Sequence, residues 1–292
     1  MSFPIKIMSW NILASKAYNK YTVKNEKSIF HKKRWLKVLS NINYYKPDIL
    51  LLQEADKNFT EWLIKKLNKN SNSKWTYVSC HTKSLTPNKW QSNDFGSCII
   101  YKSATYNIIE RGIIIDDKYE KYGWKDAVYI KIKINNQNCF IASLHLSGSN
   151  KKASTNLFKD VLKKSKNNKY KIIGGDFNCD MSGISEINQF KKCRSDKKSK
   201  KVTTCDFDYI NEKDKPMAME VDKILISKTL RKKKYKIIQT VNCKKYTLKK
   251  KRSFIQKIGS DHYPIIAKIT NNILMSKTKK KKKKRSKRRK AK

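Results

Sequence analysis

The chain has 292 residues and a formal net charge of +46, from 69 Lys and Arg against 23 Asp and Glu. It is long enough to bury a sizeable core and has no stretch near the roughly 18 apolar residues needed to cross a bilayer; a secretory leader is not expected, because the apolar run Ile5–Trp10 is too short for one. The seven cysteines (Cys80, Cys98, Cys139, Cys179, Cys193, Cys205, Cys243) are odd in number and form no CxxC pair, which argues against a disulfide framework or structural zinc and for reduced intracellular thiols.

In chain order, Phe3–Trp10 reads as a strand that runs into Ser9-Trp10-Asn11. A helix follows near Ser28–Tyr45, with Trp35, Val38, Leu39, Ile42 and Tyr45 on one face. Pro47-Asp48 ends it and opens a second strand, Ile49–Leu52, which leads to Gln53-Glu54. Phe59–Leu67 is a second amphipathic helix. The pattern then changes to strands: Trp75–Ser79, Gly96–Tyr101, Ile108–Ile109, Val128–Ile134 and Cys139–Leu144, with a hairpin at Asn135-Asn136-Gln137. His145 follows the last of these. A helix over Thr155–Lys164 precedes the strand Tyr170–Ile173 and the segment Gly174-Gly175-Asp176-Phe177-Asn178. Lys191–Lys201 and the acidic stretch Asp206–Asp214 read as loops, His31 and His81 as surface residues, and Trp75 and Trp90 as packing groups, with a base-stacking surface as the alternative. Val221–Ser227 and Ile265–Ile269 are late strands, with weaker strand signals around Tyr235–Val241.

This order fits neither an alternating parallel α/β protein nor an all-β one. It predicts an α/β fold of two mixed sheets packed face to face with helices outside. The motifs run from Asn11 to His262, which places one domain over residues 1–276 and a disordered polybasic tail over 277–292. The tail holds 13 of the basic residues; without it 56 remain against 23 acids, or +33. A body this basic suits DNA or RNA, and its richness in Lys, Asn and Ile is also what an AT-rich genome encodes. The tail reads either as a nuclear-targeting or polyanion-binding arm or as a solvated charge run.

Four strand ends carry polar groups suited to a metal ion or a phosphate: Asn11, Glu54, Asp176 with Asn178, and Asp261-His262. The Gly174-Gly175 pair permits a sharp turn and close approach of a ligand, so that Asp176 and Asn178 point at a phosphate or its attacking water. A carboxylate at Glu54 is a natural Mg²⁺ ligand. His262 beside Asp261 is the acid–base candidate, and His145 is a donor to developing phosphorane charge. Asp222, at the start of a strand, orients a histidine, either His145 or His262.

Together the segments Trp10-Asn11, Gln53-Glu54, His145-Leu146, Gly175-Asp176-Phe177-Asn178, Asp222 and Ser260-Asp261-His262 resemble the endonuclease/exonuclease/phosphatase family of DNase-I-like phosphoesterases, over about residues 4–270. The starts Met8–Ala14 and Lys46–Asp56 are nearest to deadenylases of the nocturnin and carbon-catabolite-repressor type, while the ending Asp261-His262-Tyr263-Pro264 is closer to the family at large, including DNA-end-processing phosphodiesterases. Leu13 stands where abasic-site endonucleases carry a second acid, and Phe95 where the deadenylases carry an Asp. The resemblance implies a four-layered α/β sandwich with the site at one end of the sheets. It also implies Glu54 as principal Mg²⁺ ligand with Asn11 and Asp261 near the metal, Asp176 and Asn178 as the pair positioning nucleophile and phosphate, and His262 as base or phosphate ligand.

The expectation is a monomeric, intracellular, Mg²⁺-dependent phosphodiesterase (Mn²⁺ as substitute) acting on nucleic acid by in-line attack of water, with a 3′-exoribonuclease as first choice. The alternatives are a DNA endonuclease or DNA-end-processing enzyme, a phosphatase for a small phosphorylated molecule, and an inactive nucleic-acid-binding protein. No membrane partner is expected.

Overall fold

The computed structural model describes residues 3–14, 29–69, 73–81, 95–115, 126–178, 184–193, 203–210, 216–239 and 251–271. The tail Lys277–Lys292, the loop beyond Cys193 and Trp90 lie outside them. Fourteen strands and four α-helices follow in the order β1 (Ile5–Asn11), α1 (Ile29–Tyr45), β2 (Ile49–Asp56), α2 (Lys57–Lys69), β3 (Trp75–Ser79), β4 (Phe95–Lys102), β5 (Ile108–Ile115), β6 (Asp126–Ile134), β7 (Gln137–His145), α3 (Lys151–Lys164), β8 (Tyr170–Asp176), β9 (Phe190–Lys192), β10 (Thr204–Ile210), β11 (Pro216–Met219), β12 (Asp222–Ser227), β13 (Leu230–Ile237), α4 (Lys251–Ile258) and β14 (Ile265–Asn271).

Two six-stranded mixed sheets form, ordered β13-β14-β1-β2-β4-β3 and β5-β6-β7-β8-β12-β9, with β10 and β11 as a separate pair. The sheets meet face to face, β1 on β8 and β12, β2 on β7 and β8, and β4 on β6 and β7. The period-2 rule explains the burial. In the second sheet, Val128, Ile130, Ile132, Ile141, Ile172 and Ile224 point to the first sheet. Their neighbours Ala127, Tyr129, Phe140, Ala142, Ile173 and Leu225 pack against Leu157, Phe158 and Val161 of α3. Val38, Leu39 and Ile42 of α1, Phe59 and Leu63 of α2 and Phe254 and Ile255 of α4 join the core of the first sheet. The result is the expected sandwich of two sheets with helices outside.

Several local expectations change. Of the stretch expected as a loop at Asp206–Asp214, Asp206–Ile210 belongs to β10, which pairs with β11 as Cys205↔Ala218 and Asp206↔Met217, and 211–214 lie outside the described residues. Lys191 and Lys192 form an edge strand against Ile226 and Leu225 rather than a loop. His81 is half-buried, with Nδ1 3.0 Å from Ser79 Oγ, and burial pushes its pKa down. Trp75 is buried, as a packing residue should be.

The glycine pair serves packing rather than ligand approach. A Cβ on Gly174 would lie 2.6 Å from Leu51 Cδ1 of the facing sheet, and one on Gly175 only 1.9 Å from the Leu144 carbonyl oxygen of the adjacent strand. Gly175 also has φ +154°, at the edge of the region that favours glycine. These two residues let β8 sit close enough to both neighbours to carry Asp176 to the sheet end.

Candidate active site

Strand register builds the site. In the second sheet Asp126 pairs with His145, His145 with Asp176, and Asp176 with Asp222, a row across β6, β7, β8 and β12. All four share the parity of the inward-facing core residues, so the row lies between the sheets. Across the gap, Asn11 and Gln53 end the parallel pair β1–β2. Glu54 comes next. The β2–β4 register shifts between Leu52 and Ala55, and Glu54 has a left-handed φ of +52°. Such a bulge re-aims a side chain at the cost of about 1–2 kcal/mol of backbone strain for a non-glycine residue.

Asn11 organises the two carboxylates. Its Nδ2 donates to Glu54 Oε1 at 2.9 Å and to Asp176 Oδ2 at 3.0 Å, while its Oδ1 accepts the Leu13 N–H at 3.0 Å. That backbone donor fixes which way the amide faces. Glu54 Oε2 accepts the Ala14 N–H at 3.1 Å. Burial raises the pKa of Glu54 against these hydrogen bonds, and it pushes Asp176 up to about 6 despite the pull of His262.

His262 Nδ1 lies 2.9 Å from Asp222 Oδ2, and its Nε2 lies 3.7 Å from Asp176 Oδ2 and 4.0 Å from Asp261 Oδ1. Burial opposes the imidazolium, but the Asp222 and Asp176 carboxylates outweigh it and hold His262 well above the usual histidine range. Asp222 is wholly buried, and its Oδ1 has no hydrogen-bond partner among the described residues. Of the two histidines left open for Asp222, the structure selects His262. His145 Nε2 is 3.8 Å from Glu54 Oε1 and 3.7 Å from Asp176 Oδ2. Asn178, at φ +47°, closes the Asp176 turn: its N–H donates to Asp176 Oδ1 at 2.9 Å, and its Nδ2 donates to the Leu146 carbonyl at 3.1 Å. All eight residues singled out from the sequence thus meet at one end of the two sheets.

Several supporting residues had no predicted role, although Trp10, Gln53 and Ser260 lie within the motif segments. Ser260 Oγ donates to the Asn11 carbonyl at 2.7 Å and accepts the His262 N–H at 3.1 Å, while Trp10 Nε1 donates to the His262 carbonyl at 2.9 Å. Thr203 Oγ1 accepts the Asp222 N–H at 2.9 Å, and its carbonyl accepts the Tyr263 N–H at 2.7 Å, which ties the two halves of the Asp–His pair together. Two polar clamps join the sheets: Gln53 Nε2 to Ser143 Oγ at 2.9 Å, and the Ser97 N–H and Oγ to the Asp126 carboxylate at 2.8 and 2.6 Å. Only three-dimensional pairing reveals them, because the partners are 90 and 29 positions apart.

The donor set fits a divalent cation. Glu54 Oε1 and Asp176 Oδ2 are two hard oxygens brought together from opposite sheets, but Asn11, expected near the metal, turns its NH2 and not its oxygen toward them, so it braces the carboxylates and is not placed to ligate. Asp176, Asp222 and His262 also form a buried cluster with ligand atoms within 4.8 Å of one another. In that cluster Asp222 is committed to the His262 ring, which leaves the Glu54–Asp176 side as the better cradle for a cation.

The profile of the Endonuclease/Exonuclease/phosphatase family matches residues 8–262. The chain belongs to that family. No curated protein sequence matches it. Among solved structures it is similar to an endonuclease/exonuclease/phosphatase from Bacteroides vulgatus (TM-score 0.66, 17% identity, covering 93% of this chain and 100% of that one). It is also similar to TDP2 from D. rerio complexed with single strand DNA product (TM-score 0.64, 16% identity, 92% and 99% covered). A third is the human Nocturnin catalytic domain with bound sulfate anion (TM-score 0.62, 17% identity, 92% and 94% covered). At these identities the likeness establishes the shared fold.

Proposed function

We propose that the chain is a Mg²⁺-dependent phosphodiesterase that hydrolyses nucleic-acid phosphodiester bonds by in-line attack of water. The observation that carries this reading is the convergence of Glu54 and Asp176, from opposite sheets, on the Asn11 amide beside two imidazoles. Glu54 and Asp176 would hold the ion, with Asp261 close by, and a bound ion would supply polarisation of a phosphoryl oxygen and offset charge on the leaving oxygen.

The protein's own groups then divide the proton work. His262 donates Nδ1–H to Asp222, which fixes its tautomer and aims Nε2 at Asp176 and the cleft. Flanked by carboxylates, it stays protonated and serves as a donor to a non-bridging phosphate oxygen. Asp176, at the end of β8 and facing the same cleft, is the acceptor for the proton of the attacking water. His145 presents Nε2 to the same cleft and adds a second donor for the charge that grows in the transition state. Asn178 locks the turn that carries Asp176.

The net charge of +46 favours a polynucleotide over a small phosphoester. A 3′-exonuclease acting on RNA tails is the first choice, in line with the nocturnin-like N-terminal motifs. The TDP2 likeness and the Asp261-His262-Tyr263-Pro264 ending favour a DNA-end-processing reaction as the second. A panel of labelled poly(A) RNA, mixed RNA, single- and double-stranded DNA and nucleotide phosphates, each with Mg²⁺, Mn²⁺ or EDTA, tests the reading. Cleavage of a polynucleotide that EDTA abolishes supports it; turnover confined to nucleotide phosphates, or none, overturns it.

A further inference from the structure

The outer face of the first sheet carries a group that the active site does not use. Lys6 of β1 stands directly opposite Lys268 of β14, and Lys268 directly opposite Lys234 of the edge strand β13. Like charges so placed destabilise a sheet, and among the described residues none of Lys6, Lys234, Lys236 and Lys268 forms an ion pair. The row converges on the C-terminal end of α1. Lys6 Nζ donates to the Tyr45 carbonyl at 2.9 Å, and Lys236 Nζ lies 5.2 Å from the centre of the Tyr45 ring. Lys46, exposed and held at φ +47°, follows at once.

Tyr45, which Lys6 and Lys236 both touch, is also the neighbour of the most exposed large apolar side chain of the described residues. Tyr44 is 78% exposed, its ring edge-on to Tyr45 with centroids 4.8 Å apart. Helix packing does not explain this position, since the buried face of α1 is formed by Val38, Leu39 and Ile42. The C-terminal carbonyls of α1 account for one or two lysines. They do not account for a cross-strand row of three next to a solvent-facing aromatic ring.

From this juxtaposition we infer that Tyr44 with Lys6, Lys234, Lys236 and Lys268 forms a second binding surface for single-stranded nucleic acid. A base stacks on the Tyr44 ring, and the lysines take consecutive phosphates. Lys6 lies five residues along β1 from Asn11, roughly 17 Å at strand spacing, so the surface engages a part of the strand several nucleotides from the scissile bond. It rests on the proposed action on nucleic acid and adds a preference for single strands long enough to reach both sites.

The test uses the full chain and separates binding from turnover. Affinity for a 15-nucleotide single strand is measured in EDTA, and Mg²⁺-dependent turnover on a 4-nucleotide substrate. Y44A weakens 15-mer binding about tenfold and Y44F does not. K234Q/K268Q lowers the salt dependence of log K by about 0.7 per lysine. Turnover of the 4-mer is unchanged in all of them. In Y44W, the single strand quenches indole emission beyond the change it causes in the wild type, and heparin does not. The inference is overturned if Y44A binds like the wild type, if heparin quenches Y44W as well as the oligonucleotide does (a surface for polyanions in general), or if 4-mer turnover falls in step with 15-mer binding. Failure of the proposed reaction is a separate result: no Mg²⁺-dependent turnover of any strand, with 15-mer binding retained.

Discussion

Asp222 and His262 are joined by a 2.9 Å hydrogen bond between Oδ2 and Nδ1, across 40 positions of sequence. Thr203 holds both ends of this pair, accepting the Asp222 N–H on its hydroxyl and the Tyr263 N–H on its carbonyl. The pair is therefore a fixed unit, and the Asp222 carboxylate favours the protonated form of His262, whose Nε2 faces Asp176.

Asp222→Asn keeps the shape but removes the charge that holds the imidazolium. It is expected to lower kcat by about 10²–10³-fold with a small change in KM, and to shift the fall of activity at high pH toward neutrality. A kcat–pH profile checks this; an unchanged profile would mean that Asp222 only packs.

Asp176 gives a pH dependence of stability with a definite sign. Its folded carboxyl sits at about 6 against an ordinary value of 3.8, so the folded state binds the proton more tightly. In metal-free protein, stability should fall as pH rises from about 4 to about 6, by something on the order of 2–3 kcal/mol. Glu54, also raised by burial, acts in the same direction. His262, raised well above 6.5, contributes stability that is complete below pH 6.5 and is lost only at higher pH, outside this window. Urea unfolding in EDTA should show the decline in the wild type and its attenuation in D176N; a wild-type stability that climbs across this range would contradict the burial argument.

The polar clamp between the sheets should be costly to break. Asp126→Ala leaves the Ser97 N–H and hydroxyl buried with no carboxylate to receive them, at about 2–4 kcal/mol. Asp126→Asn restores one acceptor and should recover part of the loss. Denaturant midpoints of the two variants provide the comparison, and equal stabilities would show that the clamp is not needed.

Much of this site was legible in the sequence because catalytic polar groups sit where apolar strands end. Glu54 after Ile49–Leu52 and Asp176 after Tyr170–Ile173 stand out by that contrast alone. What could not be read depends on register. Whether Asp222 serves His145 or His262 is decided by the way β12 runs against β8 and by the return of Ser260–His262. Asp126 carries no local mark, since its partner Ser97 lies in the other sheet. The strand β10 did have a period-2 pattern, Cys205, Phe207 and Tyr209 alternating with Asp206 and Asp208, but its density of acids read as a loop. The helix α4 spans only eight residues among lysines, too short for its apolar face to show a period. The Gly174-Gly175 pair marks a close approach in the sequence, but the atoms it approaches belong to Leu51 and Leu144.

Those neighbours rank two substitutions. Gly174→Ala presses on the end of the buried Leu51 side chain, which can move, at about 1–3 kcal/mol. Gly175→Ala drives a Cβ into the Leu144 carbonyl and must separate β7 from β8, the strands that carry His145 and Asp176. Gly175→Ala should therefore be the more destabilising and should lose activity even where it still folds. Thermal melts with residual turnover test the order, and the reverse ranking would refute it.

The central claim is that Glu54 and Asp176 hold a divalent cation for hydrolysis of a phosphodiester. Its most direct test is single-turnover cleavage of a labelled single-stranded oligonucleotide by wild type and Glu54→Gln, with Mg²⁺ titrated and melting temperature followed in the same samples. The account predicts that Mg²⁺ raises the wild-type melting temperature and switches on cleavage, while the melting temperature of Glu54→Gln does not respond to Mg²⁺ and its cleavage is at least ~100-fold slower. Cleavage by Glu54→Gln at the wild-type rate, with the same response to Mg²⁺, would contradict it.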